Sequence, residues 1–261
     1  MDFGITDKVA LVTGAGGGLG GAIALALARE GVRVLGADRN AESLTAVSES
    51  ISDEKLDFTP IVVDFTDATS LSEMLADLPH RYGDVDILVN NTGGPPPIAA
   101  TEIASTDWNT WFNALIIPVV TTTASVLPAM RRRRWGRIIT STSSGITCPI
   151  PNLALSNSLR ASLAAWSKTL AAEIGRDGVT SNIVVPGRIA TGRITALDEA
   201  KAARDGTTVE HVAAASTAAI PLGRYGNPAE YGAVVAFLAS VRASYITGSI
   251  IRVDGGLIPS I

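Results

Sequence analysis

The chain has 261 residues, 46% hydrophobic and 18% charged, with a formal net charge of −4 and one cysteine, Cys148. That length can bury one large core, and so few charges suit central strands covered on both faces or further burial in an oligomer. The composition gives no reason to expect nucleic acid or an anionic membrane as partner, excludes an internal disulfide, and contains no run of about 20 uninterrupted apolar residues.

Short apolar runs alternate with helical patterns from the start. Lys8–Thr13 reads as a strand, Leu19–Glu30 as an Ala/Leu-rich helix, Val32–Ala37 as a second strand and Ala41–Ser52 as a second helix. Ile61–Val63, Ile87–Asn90, Arg137–Thr140 and Asn182–Val185 continue the strand series, with helices starting near Asp67, Asp107 and Leu153. A last helix, about Pro228–Ala239, precedes a last strand, Ser249–Val253. Repeated βα units predict an α/β fold: a single Rossmann-type, doubly wound parallel sheet of about seven strands with helices on both faces. No repeat or linker divides the chain, so one domain over 1–261 is expected. The Ala- and Thr-rich segment 191–221 lacks strand patterning and is expected to be a substrate lid. Arg131–Arg134 ends a long helix, where cations complement the carbonyl end of the helix dipole. Met1-Asp2-Phe3-Gly4 lacks the basic and apolar regions of a secretory signal, which points to a cytoplasmic protein.

The turn after the first strand reads Thr13-Gly14-Ala15-Gly16-Gly17-Gly18-Leu19-Gly20-Gly21. Glycines let backbone turn tightly and approach a pyrophosphate, and the following helix N-terminus offers free N–H groups to its charge. The position between a first strand and a first helix is the context such a motif requires. Asp38 ends the second strand, where a carboxylate can accept hydrogen bonds from adenosine ribose hydroxyls and repel a 2′-phosphate. That favours NAD(H) over NADP(H), although the adjacent Arg39 is able to hold a phosphate.

The motif Thr13-Gly14-x-x-x-Gly18-x-Gly20 resembles the glycine motif of short-chain dehydrogenases/reductases. Asn90-Asn91-Thr92-Gly93, Pro186-Gly187 and Asp254-Gly255-Gly256 resemble further signatures of that family, in the same order along nearly the whole chain. The resemblance implies cofactor contacts at Gly14, Gly16, Gly17, Gly18, Leu19, Gly20, Asp38, Arg39, Asp64, Phe65, Asn91, Gly93, Arg160, Pro186, Gly187, Ile189 and Thr191. Asp64 matches an acid that bonds the adenine, and Thr191 a threonine that contacts the carboxamide. It also implies a homotetramer or homodimer, with long helices at about 107–133 and 153–177 forming one interface. No metal site is expected.

The catalytic positions depart from that family, whose members use a Ser, a Tyr acid/base, a Lys four residues later and an Asn on the preceding helix. Ser143 occupies the Ser position, but the Tyr, Lys and Asn positions fall on Ser156, Arg160 and Leu115; Asn113 is two residues out of place. An aliphatic hydroxyl is a far weaker acid than a phenol, and Arg does not exchange protons near neutral pH. Ser156 and Arg160 still lie one helical turn apart on one face, so Ser143, Ser156 and Arg160 form a candidate polar cluster of changed function. None of Tyr82, Tyr225, Tyr231 and Tyr245 lies near this site in the family's layout. His211, in the lid, is a candidate replacement acid. Cys148 is expected to line the pocket without thiolate activation. Arg188 and Arg193 are candidates for a substrate carboxylate or the cofactor phosphates. Gly94-Pro95-Pro96-Pro97 is expected to form a rigid pocket wall.

Three functions follow. One is an NAD(P)(H)-dependent oxidoreductase acting on a small alcohol or carbonyl substrate with altered catalytic residues. The second is a catalytically silent dinucleotide-binding homologue, a sensor or partner subunit. The third is a non-redox enzyme on the same fold; halohydrin dehalogenases are similar in carrying Arg at the Lys position, but they keep the Tyr and have lost the glycine loop, the reverse of this chain.

Overall fold

The computed structural model describes residues 2–261; Met1, the first residue of the expected domain, lies outside them. Seven parallel strands form one sheet: β1 (Val9–Thr13), β2 (Arg33–Asp38), β3 (Phe58–Val62), β4 (Ile87–Asn90), β5 (Gly136–Ser141), β6 (Val179–Pro186) and β7 (Ile250–Val253). Their order is β3-β2-β1-β4-β5-β6-β7. The central strands are buried on both faces, which is why they read as unbroken apolar runs. Val12 and Val34 face one core with Ile23, Leu27, Tyr231 and Val235, while Leu11 and Leu35 face another with Leu78, Val126, Met130 and Leu170.

Helices α1 (Gly18–Arg29), α2 (Ala41–Asp53) and α9 (Pro228–Ala239) contribute to the first core; α3 (Ala68–Tyr82), α5 (Ile117–Arg133) and α6 (Ala154–Ile174) contribute to the second. Side-chain caps set several starts: Asn40 accepts from the Ser43 N–H, Asp67 from the Thr69 N–H, and Asn227 with Glu230 forms a capping box on α9.

Two elements differ from the sequence expectation. Strand β3 begins three residues earlier than Ile61; Pro60, which breaks the strand pattern in the sequence, is accommodated because β3 is an edge strand. The long helix expected from Asp107 is two, α4 (Ser105–Leu115) and α5, broken at Ile116, two residues before Pro118 at the second position of α5. Together they are long and apolar enough by composition to cross a bilayer. The pair nonetheless buries Leu115, Val119, Val126 and Met130 in the protein's own cores. The 191–221 segment, which lacks strand patterning, folds as α7 (Gly192–Asp205) and α8 (Val209–Ala218).

The arginine run closes α5 as expected, and each member has a partner. Arg131 pairs with Asp177 at 2.6 Å, Arg132 and Arg133 meet Asp84, Arg133 also reaches Asp86 at 3.2 Å, and Arg134 donates to the Arg176 carbonyl.

Candidate active site

A cleft of about 750 Å³ opens at the carboxyl ends of the paired strands β1 and β4, where the connections that follow them pass to opposite faces of the sheet. In an open α/β sheet this switch point is where loops part and leave room for a ligand. The glycine loop forms one end. A Cβ at Gly20 would overlap the Gly14 carbonyl, so α1 packs directly on the turn. Gly14 itself has φ +63° and lies against Asn91, whose Nδ2 donates to the Gly14 carbonyl at 3.3 Å. Gly17 caps α1 without any side-chain bond, and a Cβ there would meet nothing within 4 Å. Gly18 and Leu19, the first residues of α1, line this end of the cleft, where the N–H groups that a helix start leaves without intrahelical partners can receive a pyrophosphate.

Asp38 stands beside this loop. Its carboxylate accepts from the Gly16 N–H and from the Asn40 N–H, each at 3.0 Å, and it lines the cleft. Arg39 and Asp64 instead line an adjoining recess with Val62, Val63 and Ser70. The Thr66 backbone and hydroxyl bonds hold the Asp64 carboxyl below the usual carboxylate range, with the Arg39 charge adding to the effect. Gly14, Gly17, Gly18, Leu19, Asn91, Gly93, Pro186, Gly187, Ile189 and Thr191 all line the cleft. Gly16 and Gly20 shape the loop from behind, and Phe65 is turned away, packed on the core beneath β2 and β4. Gly187 is close-packed, since a Cβ there would come 2.6 Å from the Asp254 Cα.

Ser143, Ser156 and Arg160 come together at the other end. Ser143 caps a short helical turn, its Oγ accepting from the Gly145 N–H at 3.1 Å, so its own proton is free to donate. Ser156 and Arg160 are both buried on the first two turns of α6. The Arg160 guanidinium serves backbone carbonyls: Nη1 donates to Ser141 at 3.3 Å, and Nη2 to Thr92 at 3.1 Å and to Gly93. It thus ties α6 to the end of β5 and to the loop after β4. Burial pulls its pKa down to about 10, with the Arg193 charge acting the same way, so it stays protonated at neutral pH.

No tyrosine or histidine lines the cleft among the described residues. Tyr231, however, lies directly behind it, a proximity that the family's layout did not suggest. Its hydroxyl is 2.8 Å from the Ser141 Oγ and donates to the Val184 carbonyl at 3.2 Å. Burial pushes the phenol well above its usual range, and the side chain does not line the cleft. His211 is exposed on α8 and does not line the cleft. Leu115 is buried against Leu159 and Leu163, while Asn113 is exposed. Cys148 is exposed and lines the cleft, as does Arg188, which pairs with Asp198 at 2.6 Å. Thr142 also lines the cleft, with a buried hydroxyl that has no partner. Sequence reasoning passed over it, although its place beside Ser143 at the end of β5 was the available signal.

The profile of a family described as enoyl-(acyl carrier protein) reductase matches residues 14–258. Among curated proteins, the 3-oxoacyl-[acyl-carrier-protein] reductase FabG of Escherichia coli (strain K12) is 34% identical over 250 residues, covering 96% of this chain and 97% of the relative. FabG of Thermotoga maritima is 32% identical, covering 97% and 99%. Among solved structures, YwfH, described as an NADPH-dependent reductase involved in bacilysin biosynthesis, superposes with a TM-score of 0.93 at 28% identity, covering 98% and 100%. An actinorhodin polyketide ketoreductase with NADPH gives 0.91 at 31% identity, covering 96% and 97%. The chain belongs to the short-chain dehydrogenase/reductase family of oxidoreductases.

Proposed function

We propose that this protein is an NAD(H)-dependent oxidoreductase of a small alcohol or carbonyl compound, with Ser143, Ser156 and Arg160 at the positions of the family's Ser, Tyr and Lys. The observation that carries this reading is one continuous cleft joining the glycine loop and Asp38 to those three residues. The dinucleotide supplies or takes up the hydride. The chain's residues supply binding and the handling of oxygen and proton. Free N–H groups of α1 and the open space over Gly17 receive the pyrophosphate. Asp38 is charged at the strand end where a 2′-phosphate would come, which supports NAD(H) over NADP(H). Arg39 is beside Asp64, which offsets its attraction for a phosphate. The solved relatives whose descriptions name NADPH make this the point to measure first.

At the reacting end Ser143 has a free proton to donate to a substrate oxygen, and the Arg160 charge favours negative charge developing there. Neither Ser156 nor Arg160 replaces a tuned phenol, so proton transfer through serine hydroxyls and water is slow relative to a tyrosine-bearing relative. A second reading, a dinucleotide-binding homologue without turnover, is supported by the commitment of all the Arg160 bonds to backbone carbonyls. A homodimer or homotetramer is proposed from Trp108, Phe112 and Ile117, apolar and 37%, 44% and 41% exposed on α4 and α5. The single cysteine suits a reducing compartment such as the cytoplasm.

The test is a carbonyl and alcohol panel followed through NADH and NADPH absorbance, with calorimetric titration of both dinucleotides. NADH is expected to bind at least tenfold more tightly than NADPH, a gap of about 1.4 kcal/mol that Asp38→Ala narrows. Binding with no turnover on any compound supports the silent homologue; failure to bind either dinucleotide overturns both readings.

A further inference from the structure

Charge at the reacting end of the cleft is one-sided. Arg160, Arg188, Arg193, Lys201 and Arg204 line it, against a single carboxylate, Asp38, which is bonded to the glycine loop at the far end. Three of the five cations are matched: Arg188 by the buried Asp198, Lys201 and Arg204 by Asp205. Arg160 and Arg193 have no carboxylate partner among the described residues. Backbone carbonyls are what they bond, those of Ser141, Thr92 and Gly93 for Arg160 and that of Pro95, at 2.7 Å, for Arg193.

The two guanidinium groups converge on Gly94. A Cβ built there would lie 3.5 Å from Nη2 of Arg193 and 3.6 Å from Nη2 of Arg160. Like charges this close repel, more so with Arg160 buried, and carbonyl dipoles return only part of what a full negative charge would. Arg193 projects from the start of α7 across to the Gly94–Pro97 wall and lines the cleft there. Guanidinium donors in that arrangement match a planar carboxylate or a phosphate.

We propose that the substrate carries an anionic group, a carboxylate or a phosphate, seated against Arg193 beside Gly94 with Arg160 behind it. The word substrate rests on the oxidoreductase reading; the anion site itself rests only on the charges and their geometry. Arg193 exchanges its Pro95 carbonyl for the anion, which makes α7 the element that recognises the charge. The anion's charge then offsets the repulsion between the two arginines.

The cofactor's pyrophosphate shares this chemistry, so the experiment separates the two. Wild-type protein, Arg193→Ala and Arg193→Lys are titrated calorimetrically with malonate, with inorganic phosphate and with ADP-ribose. In parallel, oxo acids and their methyl esters are compared as substrates with NADH. Expected are malonate or phosphate binding to the wild type, a loss on the order of 10–100-fold in Arg193→Ala, a smaller loss in Arg193→Lys, and ADP-ribose affinity within about twofold throughout. The acids should exceed their esters in kcat/KM in the wild type and lose that margin in Arg193→Ala. Parallel loss of ADP-ribose affinity would assign Arg193 to the cofactor and overturn the proposal, as would a wild type that binds neither anion. Absence of turnover on every compound removes the oxidoreductase reading, while the titrations still decide the anion site.

Discussion

Gly17 and Gly20 are three residues apart and do opposite things. The Gly20 Cα faces the Gly14 carbonyl with no room for a methyl group, whereas Gly17 has open space above it and an extended φ of 160°. Gly20→Ala is therefore expected to disturb the β1–α1 turn, lowering both Tm and dinucleotide affinity. Gly17→Ala should leave Tm unchanged or slightly raised, since it restricts the unfolded chain, yet weaken NADH binding at least tenfold, about 1.4 kcal/mol. Thermal unfolding beside a calorimetric titration reads both; equal behaviour of the two variants would refute the assignment. Arg160 makes a second contrast. Arg160→Ala strips donors from three backbone carbonyls and is expected to lower unfolding stability by about 1–3 kcal/mol in chemical denaturation. Arg160→Lys, a single ammonium unable to span them, should recover only part. The residue types at these positions were readable from the sequence because glycine turns and catalytic spacings are local. That Arg160 would spend its donors on the Thr92 and Gly93 carbonyls, and that Tyr231 would lie under Ser141, depends on contacts between segments about 70 and 90 residues apart, which no local pattern encodes.

Helix α7 owes its position to one buried carboxylate. Asp198, 3% exposed, accepts from Arg188 and from the Tyr225 hydroxyl, each at 2.6 Å, and so pins α7 to the segment after β6 and to the loop before α9. Burial, then the Asp198 bond, raises the Tyr225 pKa, so the phenol stays a donor throughout the neutral range. Asp198→Asn should free α7 without unfolding the sheet. Arg188 keeps some exposure, so the local cost is set on the order of 2 kcal/mol, below the 3–5 typical of a fully buried pair. Hydrogen exchange is the measurement: amides in 192–205 are expected to lose about thirtyfold in protection while β1, β4 and β5 keep theirs. Uniform loss over the sheet would mean that Asp198 supports the whole fold rather than α7 alone. The helices here were harder to foresee than the strands. Segment 191–221 is rich in Ala and Thr, which blurs helical periodicity, and Pro60 masked the first half of β3, whereas the two-face burial of β1, β4 and β5 wrote their runs plainly into the sequence.

Over the whole molecule, apolar surface is unevenly spread. Trp108, Phe112 and Ile117 lie on α4 and α5, and Ile250 is 50% exposed on β7. Sedimentation should give a mass that is a multiple of the 27.0 kDa chain, and joint Trp108→Glu and Phe112→Glu substitution should lower it with the circular dichroism unchanged. A wild-type monomer at micromolar concentration would refute that assembly. The parallel layering itself was legible in the βα alternation; the unpaired faces were not, since an exposed aromatic on a helix looks the same in sequence whether a partner copy covers it or not. The two edges of the sheet also differ in what they permit. In β3 the Asp57 carbonyl and the Val63 N–H bond to β2, so the backbone groups of residues 58, 60 and 62 point outward, and at Pro60 no N–H exists. A strand arriving at that side meets a gap in the ladder midway along, while β7 offers an unbroken row. The sheet can be extended in one direction only. Two copies joined β7 to β7 exhaust the free edge of both, so pairing stops there and endless edge-to-edge stacking into fibres has nowhere to continue.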